Sequence, residues 1–192
     1  MNLLSATTSR AWLDAVRAEL AALDAVPATA AIQALSGRLA ARALQADAPR
    51  AAAPRHDRYR RHRLAGGDGG HSCLLIEWPA AHRTAIHDHA GLWGIELVLD
   101  GVLEVEEFTL GGDFERPVLT RARTLMLGAG DAAVFTGRHY AHRCRNLSAT
   151  RPALSLHVYG GELDRYQAFE ADPRGGYDVR VQQAHVDATL AP

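Results

Sequence analysis

From about Tyr59 onward the chain is cut into short apolar or alternating runs by glycine-rich breaks. These are Gly66-Gly67-Asp68-Gly69-Gly70, Asp100-Gly101, Gly111-Gly112-Asp113 and Gly128-Ala129-Gly130-Asp131. Segments of this length cannot each bury an apolar face as a helix, but they can as strands, and regular short strands with glycine turns predict a β-sandwich or closed barrel. Ser72 to Trp78 and Ile95 to Leu99 read as buried or half-buried strands. Asp100-Gly101, flanked by apolar strands, predicts a hairpin. Residues 8 to about 48 have a different period. Trp12, Leu13, Val16, Leu20 and Leu23 recur at helical spacing after a candidate N-cap, Ser9, and Pro27 separates them from a second stretch carrying Ile32, Leu35, Leu39 and Leu44. The division expected is a helical segment, 1–54, packed on a β unit, 55–192, within one structural domain. The last twenty residues are weakly patterned and are expected to wrap the surface.

A chain of 192 residues suits one domain with a real core. A formal net charge of −1 gives no electrostatic case for nucleic acid or an acidic membrane surface. There is no lysine, which excludes Schiff-base chemistry through a lysine side chain. The 2 cysteines, Cys73 and Cys144, suggest a reducing compartment and not a disulfide scaffold. No apolar run reaches membrane-spanning length, and the first residues lack the pattern of a signal peptide, so a cytoplasmic location is expected.

Within the β region, His87-Asp88-His89 is followed at a distance by His142. Histidines at i and i+2 of an extended segment share a face, and imidazoles converging on a rigid sheet suit a divalent transition metal. Ser155, His157 and Tyr159 also alternate, so all three point one way. If that way is inward, the serine can fix the histidine and the histidine can orient the phenol. Alternation alone also fits a polar stripe on the solvent face, with Leu154, Leu156 and Val158 inward. In the basic run Arg58 to Arg63, one inward arginine could grip a carboxylate through two parallel hydrogen bonds, but Arg61 shares its parity with Tyr59 and Arg63, so packing does not single it out. Glu96 reads as a structural or supporting group, with metal ligation open. His56, His62, His71, His82, His139 and His185 read as surface or structural.

Taken in order, Tyr59-Arg60-Arg61, Trp78, Ile86-His87-Asp88-His89, His142-Arg143 with Asn146, and Ser155-Leu156-His157-Val158-Tyr159 resemble the cysteine dioxygenase type of thiol dioxygenase, in the cupin superfamily. The resemblance covers about residues 55 to 165. It implies an all-β, cupin-type jelly-roll barrel with N-terminal α-helices. It also implies an enzyme of sulfur metabolism that uses mononuclear non-haem Fe(II), with O2 as co-substrate, to oxidise a small-molecule thiol to its sulfinate. His87, His89 and His142 would be the metal ligands. Ser155, His157 and Tyr159 would form a catalytic relay, and Arg61 and Trp78 would bind substrate. L-cysteine is the first substrate implied and 3-mercaptopropionate the second; a metal-binding cupin isomerase or a non-catalytic binding module is the reading of another class. No nucleic acid or membrane partner is expected, and the protein would be a monomer or small homo-oligomer.

The chain departs from the family pattern in places. Most cupins supply a carboxylate a few residues after H-x-H, where this chain has Trp93-Gly94. Three neutral imidazoles leave the metal charge uncompensated and favour a thiolate partner. Animal cysteine dioxygenases carry at Gly94 a cysteine that forms a thioether with the active-site tyrosine, so that crosslink to Tyr159 is impossible here. Beyond Tyr159 the family's Ser-Pro-Pro is replaced by Gly160-Gly161-Glu162, closer to bacterial mercaptopropionate dioxygenases. Those relatives tend to place glutamine at Arg61 and use a later arginine, for which Arg165 is the nearest match.

Overall fold

The computed structural model describes residues 10–51, 58–65, 70–112, 116–173 and 175–190. Two helices come first, α1 (Arg10–Ala21) and α2 (Thr29–Ala43). The strands follow: β1 (Arg60–Ala65), β2 (Ser72–Trp78), β3 (Ile86–His87), β4 (Gly94–Asp100), β5 (Leu103–Gly112) and β6 (Pro117–Leu127). The rest are β7 (Ala132–Phe135), β8 (Tyr140–Asn146), β9 (Ala153–Tyr159), β10 (Arg165–Ala171), β11 (Tyr177–Gln183) and β12 (Ala188–Thr189). They form two six-stranded sheets. Sheet A has the order β12-β1-β2-β9-β4-β7, and sheet B the order β11-β10-β3-β8-β5-β6. The expected all-β jelly-roll with N-terminal helices is thus present as two separate hydrogen-bonded sheets.

Sheet A is covered on both faces. On its outer face, Leu64, Cys73, Leu75, Ile95, Leu97, Leu99, Leu154, Leu156 and Val158 join the helical residues Trp12, Val16, Leu20, Ile32, Leu35 and Leu39 in one core. Each such aliphatic side chain contributes about 1.5–3 kcal/mol on burial. The Trp12 indole also donates to the Arg42 carbonyl (3.0 Å), and Arg17 donates to the carbonyls of Leu64 and Leu190 (3.2 Å each), fastening α1 to α2, β1 and the tail. Leu44 is the exception in the helical pattern, being exposed at the end of α2. Ser9 lies outside the described residues. A second core, including Leu74, Ile76, Trp78, Val98, Phe135 and Tyr159 of sheet A and Leu103, Val105, Leu127 and Cys144 of sheet B, fills the space between the sheets.

One expectation is corrected. Asp100-Gly101 does not make a hairpin: β4 pairs with β7 and β9 in sheet A, whereas β5 pairs with β6 and β8 in sheet B. The turn carries the chain from one sheet to the other. Gly101 has φ +83°, and a Cβ there would come within 2.7 Å of Ala153, so glycine is needed for the crossing as it would be for a hairpin. The last residues keep to the surface as expected and do so in strands. β11 pairs along its length with β10, and β12 lies parallel to β1. No helix among the described residues is long and apolar enough to cross a membrane.

Candidate metal centre and pocket

His87 and His142 face each other as register partners of β3 and β8. His89 lies just past the end of β3, where the Asp88 carboxylate accepts from the backbone N–H groups of Ala90 (3.3 Å) and Gln167 (2.8 Å) and fixes the turn. Ala90 and Gly91 complete it at φ 53° and 79°. The three rings meet, with centroids 4.6 Å apart for His87–His142, 4.7 Å for His89–His142 and 5.3 Å for His87–His89.

The hydrogen bonds set the ring protons. His87 Nδ1 lies 3.0 Å from the Ala85 carbonyl, which can only accept, so the proton is on Nδ1 and the Nε2 lone pair is free. His142 Nδ1 lies 3.1 Å from a Glu96 oxygen, which leaves its Nε2 free as well. Yet the two Nε2 atoms are 3.2 Å apart. Two lone pairs at that distance repel unless a cation lies between or beside them. Both ring nitrogens of buried His89 are without a hydrogen-bond partner. Burial pushes the pKa of His87 down to about 3 and that of His89 well below its ordinary value, so these rings are neutral and ready to ligate. The residues therefore fit a bound divalent cation, and the three ligand atoms lie within 4.8 Å of one another. Glu96 is on the other side of the His142 ring. Its second oxygen is 3.3 Å from His157 Nδ1.

The Ser155-His157-Tyr159 row points inward. Alternation left its direction open because both parities of β9 are buried: the leucines and Val158 meet the helices, and the polar row meets the sheet interior. Trp78 Nε1 donates to Ser155 Oγ (2.8 Å), Ser155 Oγ is 2.8 Å from His157 Nε2, and His157 Nδ1 is 3.1 Å from the Tyr159 hydroxyl. Burial holds the Tyr159 phenol well above its ordinary pKa, with Arg61 opposing, so it stays a donor.

A pocket of about 180 Å³ opens beside these groups, lined by Tyr59, Arg61, His87, Tyr159, Leu163 and Tyr166 among others. Register explains the choice among arginines. Arg61 pairs with Ile76, whose side chain faces the sheet interior, whereas His62 pairs with Leu75 on the helix side. His62 is fully buried there and 3.1 Å from Glu77. Arg63, of Arg61's parity, is paired with Glu162 near the surface. Trp78 is buried behind the Ser155-His157-Tyr159 row and is not among the lining residues. Arg165 is exposed and His139 bonds the Leu110 carbonyl (3.1 Å); neither joins the cluster.

Sequence reasoning passed over the aromatic packing that shapes the site. Phe135 stacks on His89 (4.3 Å between centroids) and Tyr140 (4.7 Å), and the Tyr140 hydroxyl lies 3.3 Å from His142 Nδ1. Tyr166 meets the edge of His87 (5.4 Å). Tyr140 shares strand parity with His142, which is a signal present in the sequence; Phe135 has none. Gly94 and Gly160 leave room for rings. A Cβ at Gly94 would come within 2.1 Å of Phe135, and one at Gly160 within 2.3 Å of Trp93.

The chain matches the family described as Cysteine dioxygenase type I over residues 18–172. It is 29% identical to cysteine dioxygenase type 1 of Homo sapiens over 124 residues, covering 65% of this chain and 60% of the human protein. It is 30% identical to that of Rattus norvegicus over 125 residues, with coverage of 65% and 60%. The chain thus spans about 60% of the length of these curated relatives. Solved structures similar to it include the cupin domain of Schizosaccharomyces pombe Cnp3, with TM-score 0.42, 12% identity and coverage of 53% of this chain and 60% of that one. Another is a cupin superfamily protein of Desulfitobacterium hafniense, with TM-score 0.42, 13% identity and coverage of 57% and 83%. The family match runs from within α1 to just past β10, well over half of the sequence, and on that ground the chain belongs to the cysteine dioxygenase type I family.

Proposed function

We propose that this protein is a non-haem Fe(II) thiol dioxygenase that places both atoms of O2 on the sulfur of a small carboxylated thiol, R–SH + O2 → R–SO2H. The observation that carries the reading is the convergence of Arg61, His87 and Tyr159 on one pocket. An arginine there accounts for a carboxylate on the substrate, which it would hold through paired N–H donors. Ferrous iron held by His87, His89 and His142 would supply open positions for the thiolate and for dioxygen. Tyr159 would donate its phenolic proton toward the reacting groups, steadied by His157, Ser155 and, through Ser155, Trp78. Leu163 and Ala168 would shield the sulfur end from water.

L-cysteine is our first choice of substrate because Arg61 lines the pocket and Arg165 is exposed. The favouring observation for 3-mercaptopropionate is the wall beyond Tyr159, where Gly160 lies against the Trp93 indole and no proline ring is present. The buried free thiols Cys73 and Cys144 fit a reducing compartment such as the cytoplasm. The test is oxygen uptake by anaerobically purified, Fe(II)-loaded protein offered each thiol in parallel. Uptake matched one-to-one by sulfinate is expected, and the ratio of kcat/KM values ranks the substrates. No uptake with either thiol by protein that holds iron would overturn the proposal.

A further inference from the structure

Glu96 stands at the interior end of the hydrogen-bond network, outside the three-histidine cluster and the pocket lining, although with His142 and Cys144 it forms a second group close enough to hold a metal ion. Its carboxylate is 4% exposed. Each oxygen faces one imidazole: Oε2 is 3.1 Å from His142 Nδ1, and Oε1 is 3.3 Å from His157 Nδ1. The Cys144 thiol, 3.8 Å away, is a weak third donor. A buried carboxylate costs several kcal/mol unless donors meet it, so both Nδ1 atoms must carry their protons.

We infer that Glu96 is a positioning residue that fixes the ring protons of a metal-ligand histidine and of the relay histidine at once, making the metal centre and the relay one directed network. The inference rests on the reading of His142 as a ligand. On the His142 side, a proton on Nδ1 leaves Nε2 with its lone pair toward His87. A carboxylate behind a ligating imidazole holds the ring in place and strengthens its donation to the metal. On the His157 side, a proton on Nδ1 makes Nε2 an acceptor. Ser155 must then donate its hydroxyl proton to Nε2 (2.8 Å). The Ser155 oxygen is in turn the acceptor for Trp78 Nε1–H, a group that can only donate. Every bond from Trp78 to Glu96 thus runs in one direction. Tyr159 gains from this order. Its oxygen, 3.1 Å from the same nitrogen, shares that nitrogen's proton with Glu96 and cannot donate there, which frees its own O–H for the pocket.

Glu96 also has a place made for it. It is the register partner of His157 on β9 and of Ala133 on β7, and Ala133 leaves space beside it. His142 approaches from the opposite sheet. The carboxylate therefore bridges the two sheets as well as the two histidines.

The experiment uses metal-stripped wild type, Glu96→Gln, Glu96→Leu and His142→Ala, each titrated with Co(II) against a chromophoric chelator. Visible cobalt bands are recorded, and folding is checked by circular dichroism. Wild type is expected to take up one Co(II), and His142→Ala to lose it. Glu96→Gln should bind about tenfold or more weakly with shifted cobalt bands in folded protein, and Glu96→Leu at least as weakly. If Glu96→Leu fails to fold, Glu96→Gln decides. Wild-type affinity and bands in the folded Glu96 variants, with His142→Ala defective, would overturn the inference and leave the ligand assignment standing. Wild-type binding by His142→Ala would overturn both.

Discussion

Position 94 is where this chain lacks the cysteine of the crosslinked animal enzymes, and the structure predicts what happens if a side chain is restored there. A Cβ at Gly94 would lie 2.1, 2.6 and 2.9 Å from Cζ, Cε2 and Cε1 of Phe135. Favourable carbon contacts lie at about 3.5–4.0 Å, so the ring must retreat by about 1.4 Å. It has nowhere easy to go. Phe135 is 4% exposed and packs against two neighbouring rings, His89 at 4.3 Å and Tyr140 at 4.7 Å. Gly94→Ala should therefore carry the ordinary penalty of overpacking, about 1–3 kcal/mol. For a chain of this size that is a fall in Tm of about 2–4 °C per kcal/mol. Urea unfolding of metal-free protein is the proper assay, because bound metal would add its own stabilisation. In a Phe135→Leu background the alanine should cost less, with a coupling energy of about 0.5–3 kcal/mol in the double-mutant cycle. An alanine penalty below about 0.5 kcal/mol, or one that is the same with leucine at 135, would refute the reasoning. Gly94→Cys meets the same obstacle, so no thioether to Tyr159 should form unless Phe135 is also reduced.

Other predictions concern the pocket and the outer face of sheet B. Tyr159→Phe should keep metal binding and lower turnover by about a hundredfold or more, since under the proposed function it removes a general acid from an otherwise intact site; unchanged turnover in steady-state oxygen uptake would remove Tyr159 from the mechanism. Arg61→Gln should raise KM for carboxylated thiols much more than for cysteamine, which lacks the carboxylate, and an equal effect on both would deny Arg61 the role of carboxylate grip. Glu106 is buried among Arg143 (2.5 Å), Arg83 (2.9 Å) and Arg121 (3.1 Å). The Arg143 hydrogen bond leads in lowering its pKa from 4.5 to about 2, against burial. A depressed carboxylate stabilises the fold above its unfolded pKa and loses that contribution as pH falls toward the folded value. Glu106→Gln should therefore be less stable than wild type at neutral pH, and the gap should close between about pH 4.5 and pH 2 in urea melts; a pH-independent gap would contradict the ion-pair account.

What the sequence could and could not reveal follows from where the information lies. Glycine breaks and short apolar runs mark strands because turn chemistry and periodicity are local. Whether Asp100-Gly101 folds back or crosses over is not local, since β9 competes for the edge of β4 that a hairpin would use. The direction of the Ser155 row was open for a similar reason: α1 and α2, more than a hundred residues earlier, bury the opposite parity of β9. The tail keeps to the surface, yet the alternating Tyr177, Val179 and Val181 mark a strand there, and the first two pack against Ile86, Phe108 and Phe169 on the outer face of sheet B. The three histidines and Arg61 were named through resemblance, and the structure gathers them at one place. Glu96 could be flagged by its parity with Gly94, but its role depends on His142 and His157 arriving from two different strands.

The burial of β9 on both faces has a consequence for how the protein can change. All seven residues from Ala153 to Tyr159 are buried, so substitution at either parity disturbs a core or the relay. The pocket's other wall is built from β10 and β11, where Glu170 and Gln182 are exposed while lining the same space as His87. Mutational tolerance is therefore uneven around a single cavity. Variants that reshape the pocket can arise on the β10–β11 side at little cost in stability, while the strand that carries Ser155, His157 and Tyr159 is held nearly constant by packing alone.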